Sequence, residues 1–116
     1  MPFKAEDIQQ ETYDFNPHLN KSGVIREPST AEINKFRADI FKVFTNSGIE
    51  GVDVENMDMS EFSSLLEKGS EIEQGTIDVV GAFLQDPSAD DIRALPWRVQ
   101  RAFLGYITGL FIRPEA

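Results

Sequence analysis

The chain has 116 residues, a formal charge of −9 and no cysteine, which suits one modest hydrophobic core and excludes disulfides, thiolate zinc sites and cysteine nucleophiles. Hydrophobic residues make up 41 %, with nine phenylalanines against one tryptophan, a composition that folds around packed aromatic rings rather than staying disordered. The longest nearly apolar run, Ala102 to Ile112, is 11 residues, short of the about 20 that a spanning helix needs. The opening MPFKAEDIQQ carries no basic stretch followed by an apolar one, so neither a membrane span nor a signal peptide is expected.

Residues 1–28 read as an N-terminal arm. Phe3, Ile8, Tyr13, Phe15, Val24 and Ile25 are scattered without helical period, and FNPHLNKSG is rich in turn formers. Short extended pieces are expected at Thr12–Phe15 and Gly23–Arg26. The arm is expected to be mobile in isolation or docked on a neighbouring molecule, so that removing Met1 to Tyr13 leaves the helical melting transition intact.

The segment PSTAEINKFRADIFKVF carries the clearest helix start. Ser29 with Glu32 forms a capping box, and Pro28 discourages extension backwards. Ile33, Phe36, Ile40, Val43 and Phe44 make one apolar stripe until Asn46, Ser47 and Gly48 end the helix. After the acidic loop GIEGVDVENMDM, Asp58 with Glu61 offers a second cap for a short helix burying Phe62, Leu65 and Leu66. Ser70 with Glu73 reads as a third box, opening a helix that carries Ile72, Ile77, Val80, Phe83 and Leu84. Gly75 and Gly81 each weaken that helix by about 1 kcal/mol relative to alanine, and Val79–Val80 would also suit a strand. Ser88 with Asp91 forms a fourth box over one turn, and Pro96 suits the start of the last helix. These signals predict helices near 30–46, 59–68, 71–85 and 96–112. The fold class is all-α: a small bundle of four to five helices over residues 29–116, with an irregular arm over 1–28. Phe36, Ile40, Phe44, Phe103 and Ile107 are the expected core.

The last helix carries two apolar stripes. Val99, Phe103, Tyr106 and Leu110 form one; Leu104, Ile107 and Phe111 form the other, with Trp97 near its line. A helix packed on one side needs only one stripe. Either this is the central helix, wrapped by its own chain, or one stripe faces a partner with Arg98 and Arg101 at its rim. The second alternative assigns the partner surface to Trp97, Arg98, Arg101, Leu104, Ile107 and Phe111. It makes Phe111→Asp a surface change that costs under about 1 kcal/mol. Gly105 and Gly109 form a smooth strip for close helix packing.

Charge is unevenly placed. Residues 50–91 hold 12 acids and one base, Lys68, whereas residues 92–114 hold four arginines and no acid. An acidic middle argues against nucleic-acid binding, because phosphate contacts need clustered cations. It is expected to lie apart from the C-terminal surface and to keep the protein soluble. His18, the only histidine, sits in a turn-rich stretch and reads as a surface residue. Asp53, Glu55, Asp58 and Glu61 lack the glycine and spacing of a calcium loop. No phosphate-binding loop or nucleophile elbow is present. The expectation is a protein without cofactor, metal or catalytic residues.

Two stretches resemble tail assembly chaperones of long-tailed phages, especially those of actinobacterial hosts. REPSTAEINKFRADIFKVF, residues 26–44, resembles the opening PS-x-x-x-I-x-x-F helix of that family. DPSADDIRALPWRVQRAFLGYITGLFIRPE, residues 86–115, resembles the closing LP-x-R-x-x-x-AF-x-x-(W/Y)-x-x-G helix and its PE. Together they span about 40 % of the chain, and residues 45–85 have no counterpart. The resemblance implies a small helical protein of the host cytoplasm that binds the tape measure protein or unassembled tail tube protein before tail polymerisation. Trp97, Phe103, Tyr106, Ile107 and Leu110 would hold its core or grip the client. Two other functions fit the residues: a structural virion or head–tail component, which could self-associate, and an acidic inhibitor or DNA mimic directed at a host factor.

Overall fold

The computed structural model describes residues 11–51 and 59–112. The elements in chain order are β1 (Thr12–Asp14), β2 (Ser22–Val24), α1 (Thr30–Asn46), α2 (Met59–Leu66), α3 (Ser70–Leu84), α4 (Ala89–Arg93) and α5 (Trp97–Ile112). The fold is an all-α bundle preceded by a two-stranded hairpin.

Local signals start and stop the helices. At α1 the Ser29 hydroxyl accepts from the Glu32 N–H, and the Glu32 carboxylate accepts from the Ser29 N–H at 3.1 Å. This reciprocal pairing satisfies two otherwise orphaned donors. The helix ends where Gly48 adopts φ +83, and the Ile49 N–H returns to the Phe44 carbonyl at 3.0 Å, the left-handed closure that glycine permits. The box at Ser88 and Asp91 forms as expected. The box expected at Ser70 does not: Ser70 lies inside α3, and Gly69 occupies the cap position with no side-chain bond. The Glu73 carboxylate that would have closed it lies instead 3.7 Å from Arg101. The cap expected at Asp58 and the carboxylates Asp53 and Glu55 lie outside the described residues. Val79–Val80 is helical, because α3 buries Ile72, Thr76, Ile77, Val80, Gly81 and Leu84 along one face, and that burial outweighs strand propensity.

The two glycines of α3 are spacers. A Cβ on Gly81 would stand 2.4 Å from the Ala89 backbone nitrogen and 2.7 Å from its Cα. The first turn of α4 therefore rests directly on α3. A Cβ on Gly75 would meet only the Val43 side chain, at 3.0 Å.

All five expected core residues are buried. The rings pack in sets: Phe36 stacks on Phe83 at 4.4 Å between centroids, Phe83 meets Phe111 edge-on at 5.2 Å, and Phe44 meets Phe62 at 6.4 Å. Such pairs add about 0.5–1.5 kcal/mol beyond the area they bury.

The arm departs from expectation over its described residues. Its extended pieces pair antiparallel, with Tyr13 opposite Gly23, and the hairpin docks on its own bundle. Alternation along Thr12–Phe15 sends Tyr13 and Phe15 to one face, where both are buried together with Ile25. Phe15 meets the Phe103 ring edge-on at 5.0 Å. Three apolar side chains in the common core outweigh the turn-rich composition that suggested mobility. Residues 13, 15 and 25 dock the arm on the bundle of its own chain, and a deletion reaching Tyr13 removes a core ring.

Two substitutions in α3 separate packing from helix propensity. Gly81→Ala is expected to lose about 1–3 kcal/mol by overpacking against rigid backbone. Gly75→Ala is expected to be near neutral, because the gain in helix propensity offsets a shift of one side chain. Phe103→Ala is expected to lose about 3–5 kcal/mol. Urea unfolding of the three variants reads all of these values.

Candidate functional site

The last helix is the centre of the bundle, packed on α1, α2 and α3. Leu104 and Ile107 are fully buried and Phe111 nearly so. The stripe expected to face a partner is therefore the one that faces the protein's own core. The physical reason is continuity: Leu104, Ile107 and Phe111 offer uninterrupted aliphatic and aromatic surface, whereas the other stripe includes the hydroxyl of Tyr106. In that other stripe Phe103 is covered by the hairpin, Val99 and Leu110 are half-buried, and Tyr106 is 40 % exposed.

The six residues assigned to a partner surface thus divide. Trp97 is 54 % exposed and Arg98 is exposed. Arg101 lies between surface and core. Its guanidinium sits 4.2 Å above the Trp97 ring and reaches Glu67 at 3.2 Å and Glu73 at 3.7 Å. Arg101 is a bridge from α5 to α2 and α3 rather than a free rim residue. Leu104, Ile107 and Phe111 are interior.

The acidic middle does not lie apart from the C-terminal cations. Arg93 reaches Asp78 at 2.6 Å and the Gln74 side chain at 2.7 Å. Lys21, at the hairpin, lies 3.0 Å from both Asp86 and Asp91, and the Tyr13 hydroxyl donates to Asp86 at 3.2 Å. The chain folds its acidic segment against bases drawn from both ends, because that contact relieves like-charge repulsion within residues 50–91. Lys21, followed by the Ser88 N–H, holds the Asp91 carboxyl below its ordinary range. Burial, then Asp86, pushes the Tyr13 hydroxyl up.

Beside α5 lies a groove of about 240 Å³, walled by residues 12–15 of the hairpin and by Val99, Ala102, Phe103 and Tyr106. The Tyr106 hydroxyl donates to Glu11 at its edge. Burial, then that carboxylate, pushes Tyr106 up to about 12. Sequence reading missed this groove because it assigned the outward role to the opposite stripe. The signal that would have found it is the mixture of Ala102, Tyr106 and Gly109 along one line, too small and too polar for a bundle centre. His18 is exposed in the hairpin loop. Among the described residues, no group of three histidine, aspartate or glutamate side chains is placed to hold a metal ion. No helix among them is long and apolar enough to cross a membrane.

No family model matches the chain, and no curated protein or solved structure matches it.

Two measurements check this placement. Phe111→Asp is expected to cost at least about 4 kcal/mol, by removing a ring that packs on Phe83 and burying an unpaired carboxylate; chemical denaturation reads it. A carboxyl held low in the fold contributes stability above its unfolded value, near about 3.9, and loses it as pH falls through the folded value. Lys21→Met removes the first cause of that shift at Asp91. The variant should melt below the wild type at pH 7, and the gap should narrow as pH falls below about 4, as followed by thermal unfolding across that range.

Proposed function

We propose that the protein is an assembly chaperone of the phage tail type, which binds tape measure or unassembled tail tube protein and holds it soluble in the host cytoplasm before polymerisation. The observation that carries this reading is Trp97. The chain's one tryptophan is 54 % exposed, next to exposed Arg98 and braced by the Arg101 guanidinium. Tryptophan and arginine dominate the energetics of protein interfaces, and a bracing cation limits the ring's freedom before a partner arrives. Trp97 stands at the start of the closing helix on which the resemblance rests. The two resembling stretches correspond to α1 and to the α4–α5 unit, which meet in the core.

Charge supports the chaperone over a nucleic-acid mimic. A mimic must turn its carboxylates outward toward a basic partner. Here Glu67, Glu73, Asp78, Asp86 and Asp91 are already paired with the protein's own arginines and lysine, so these carboxylates, although several are exposed, are partly neutralised before a basic partner arrives. The net charge of −9 still favours solubility of a complex with an aggregation-prone client.

The test is co-expression with tape measure and tail tube proteins, followed by affinity capture on the chaperone. The wild type is expected to hold one of them in solution. Trp97→Ala is expected to reduce capture at least tenfold with little change in melting temperature. A wild type that captures neither protein, or a variant that captures as well as the wild type, overturns the assignment.

A further inference from the structure

We propose that the groove between β1 and α5 receives an extended, basic segment of a partner protein, added as a third strand to the open edge of β1. The inference rests on reading the protein as a binder of protein clients and specifies the segment it takes.

The hairpin register decides which edge is open. The Ile25 N–H donates to the Glu11 carbonyl and the Phe15 N–H to the Lys21 carbonyl, so the bonded rungs fall at residues 11, 13 and 15. The peptide groups of Thr12 and Asp14 point to the other side. Among the described residues no third strand lies there. The groove is walled by β1 but not by β2, so it runs along this open edge. A segment laid in it meets the Thr12 and Asp14 peptide groups on one side. Its alternate side chains fall on Val99, Ala102 and Tyr106 on the other. Strand addition of this kind draws affinity from main-chain bonds and specificity from alternating side-chain contacts. A volume of about 240 Å³ is below the roughly 300–1,000 Å³ of small-molecule pockets, which argues against an enclosed metabolite site. A two-stranded ribbon with three-residue strands is itself short of independent stability and gains from a third strand.

Charge selects the occupant. Among the described residues the only charged side chain lining the groove is Asp14, and Glu11 stands at its edge. Arg98 lies a turn away from Ala102 toward the start of α5. With a chain charge of −9, the field and the β1 wall both favour a segment that alternates apolar residues with lysine or arginine. A second copy pairing edge to edge through β1 would bring together two edges that each carry Glu11 and Asp14, and like charge on both disfavours that pairing.

The test uses two end-blocked eight-residue peptides, one alternating lysine and valine, the other glutamate and valine, titrated into the isotope-labelled full chain. The lysine peptide is expected to bind at least tenfold more tightly at low salt and to weaken as salt rises. It is also expected to slow hydrogen exchange at the Thr12 and Asp14 amides at least tenfold. Ala102→Trp, which fills the groove from an exposed position, is expected to abolish binding. Thr12→Pro, which removes an outward N–H without touching a bonded rung, is expected to weaken it at least tenfold and serves if the first variant folds poorly. Equal binding of both peptides, perturbation elsewhere, or full binding by both variants overturns the proposal. So does a wild-type dimer in sedimentation that Ala102→Trp dissociates, which would give the groove to a second copy. Client capture that survives Ala102→Trp sinks the groove and spares the chaperone reading. Peptide binding without capture of either client does the reverse.

Discussion

Burial of the Leu104, Ile107 and Phe111 stripe is the constraint on which the rest of the molecule depends. These side chains sit where α1, α2 and α3 converge, so the three helices take their places from one shared contact. Phe111 links the C-terminal helix to the Phe83–Phe36 stack, which joins α5 to α3 and α1 through rings alone. Once this side of α5 is covered, the opposite stripe and the exposed Trp97 ring are the apolar surfaces left on its described residues. The hairpin covers part of it by placing Phe15 on Phe103. The remainder, from Val99 to Tyr106, forms the floor of the groove.

Electrostatics then hold the layers in register. The bridges from Arg101 and Lys21 join elements distant in sequence, and Arg93 ties α4 back to the preceding α3. Exposed pairs of this kind contribute about 0–1 kcal/mol each, so their weight lies in orientation more than in stability. Lys21 ties the hairpin to the connection between α3 and α4, and the hairpin backbone adds little contact with the helices of its own. Arg26 does similar work between layers: it reaches the Phe83 carbonyl at 2.9 Å while pairing with the Glu32 of the α1 cap at 2.7 Å.

Helix positions were legible in the sequence because the signals are local. A serine followed three residues later by an acid marked α1 and α4, and one apolar stripe per helix marked the core. The same rule misread Ser70, where a tertiary partner, Arg101, drew Glu73 away from the cap. The hairpin's extended pieces were visible, but not their docking, since nothing local to Tyr13 or Phe15 encodes the distant Phe103 that receives them. The choice between the two stripes of α5 is likewise a question of which neighbours arrive. A helical wheel displays both stripes and contains no term for the hairpin. Of the candidate surface, Trp97 and Arg98 were therefore recoverable and the groove was not.

The contact beneath Gly81 leaves a mark that can be searched for. Because the α4 backbone occupies the place of a side chain at that position, any larger residue there must push the turn beyond α3 outward. Written as spacing, this is a glycine, a serine seven residues on, an aspartate three beyond it, and a proline five later, Gly81 to Pro96. A relative that replaces apolar residues of the bundle by others of similar volume keeps its shape, whereas one that replaces this glycine must shift the corner. The corner is thus a geometric fingerprint, independent of overall similarity, by which chains of the same architecture can be recognised.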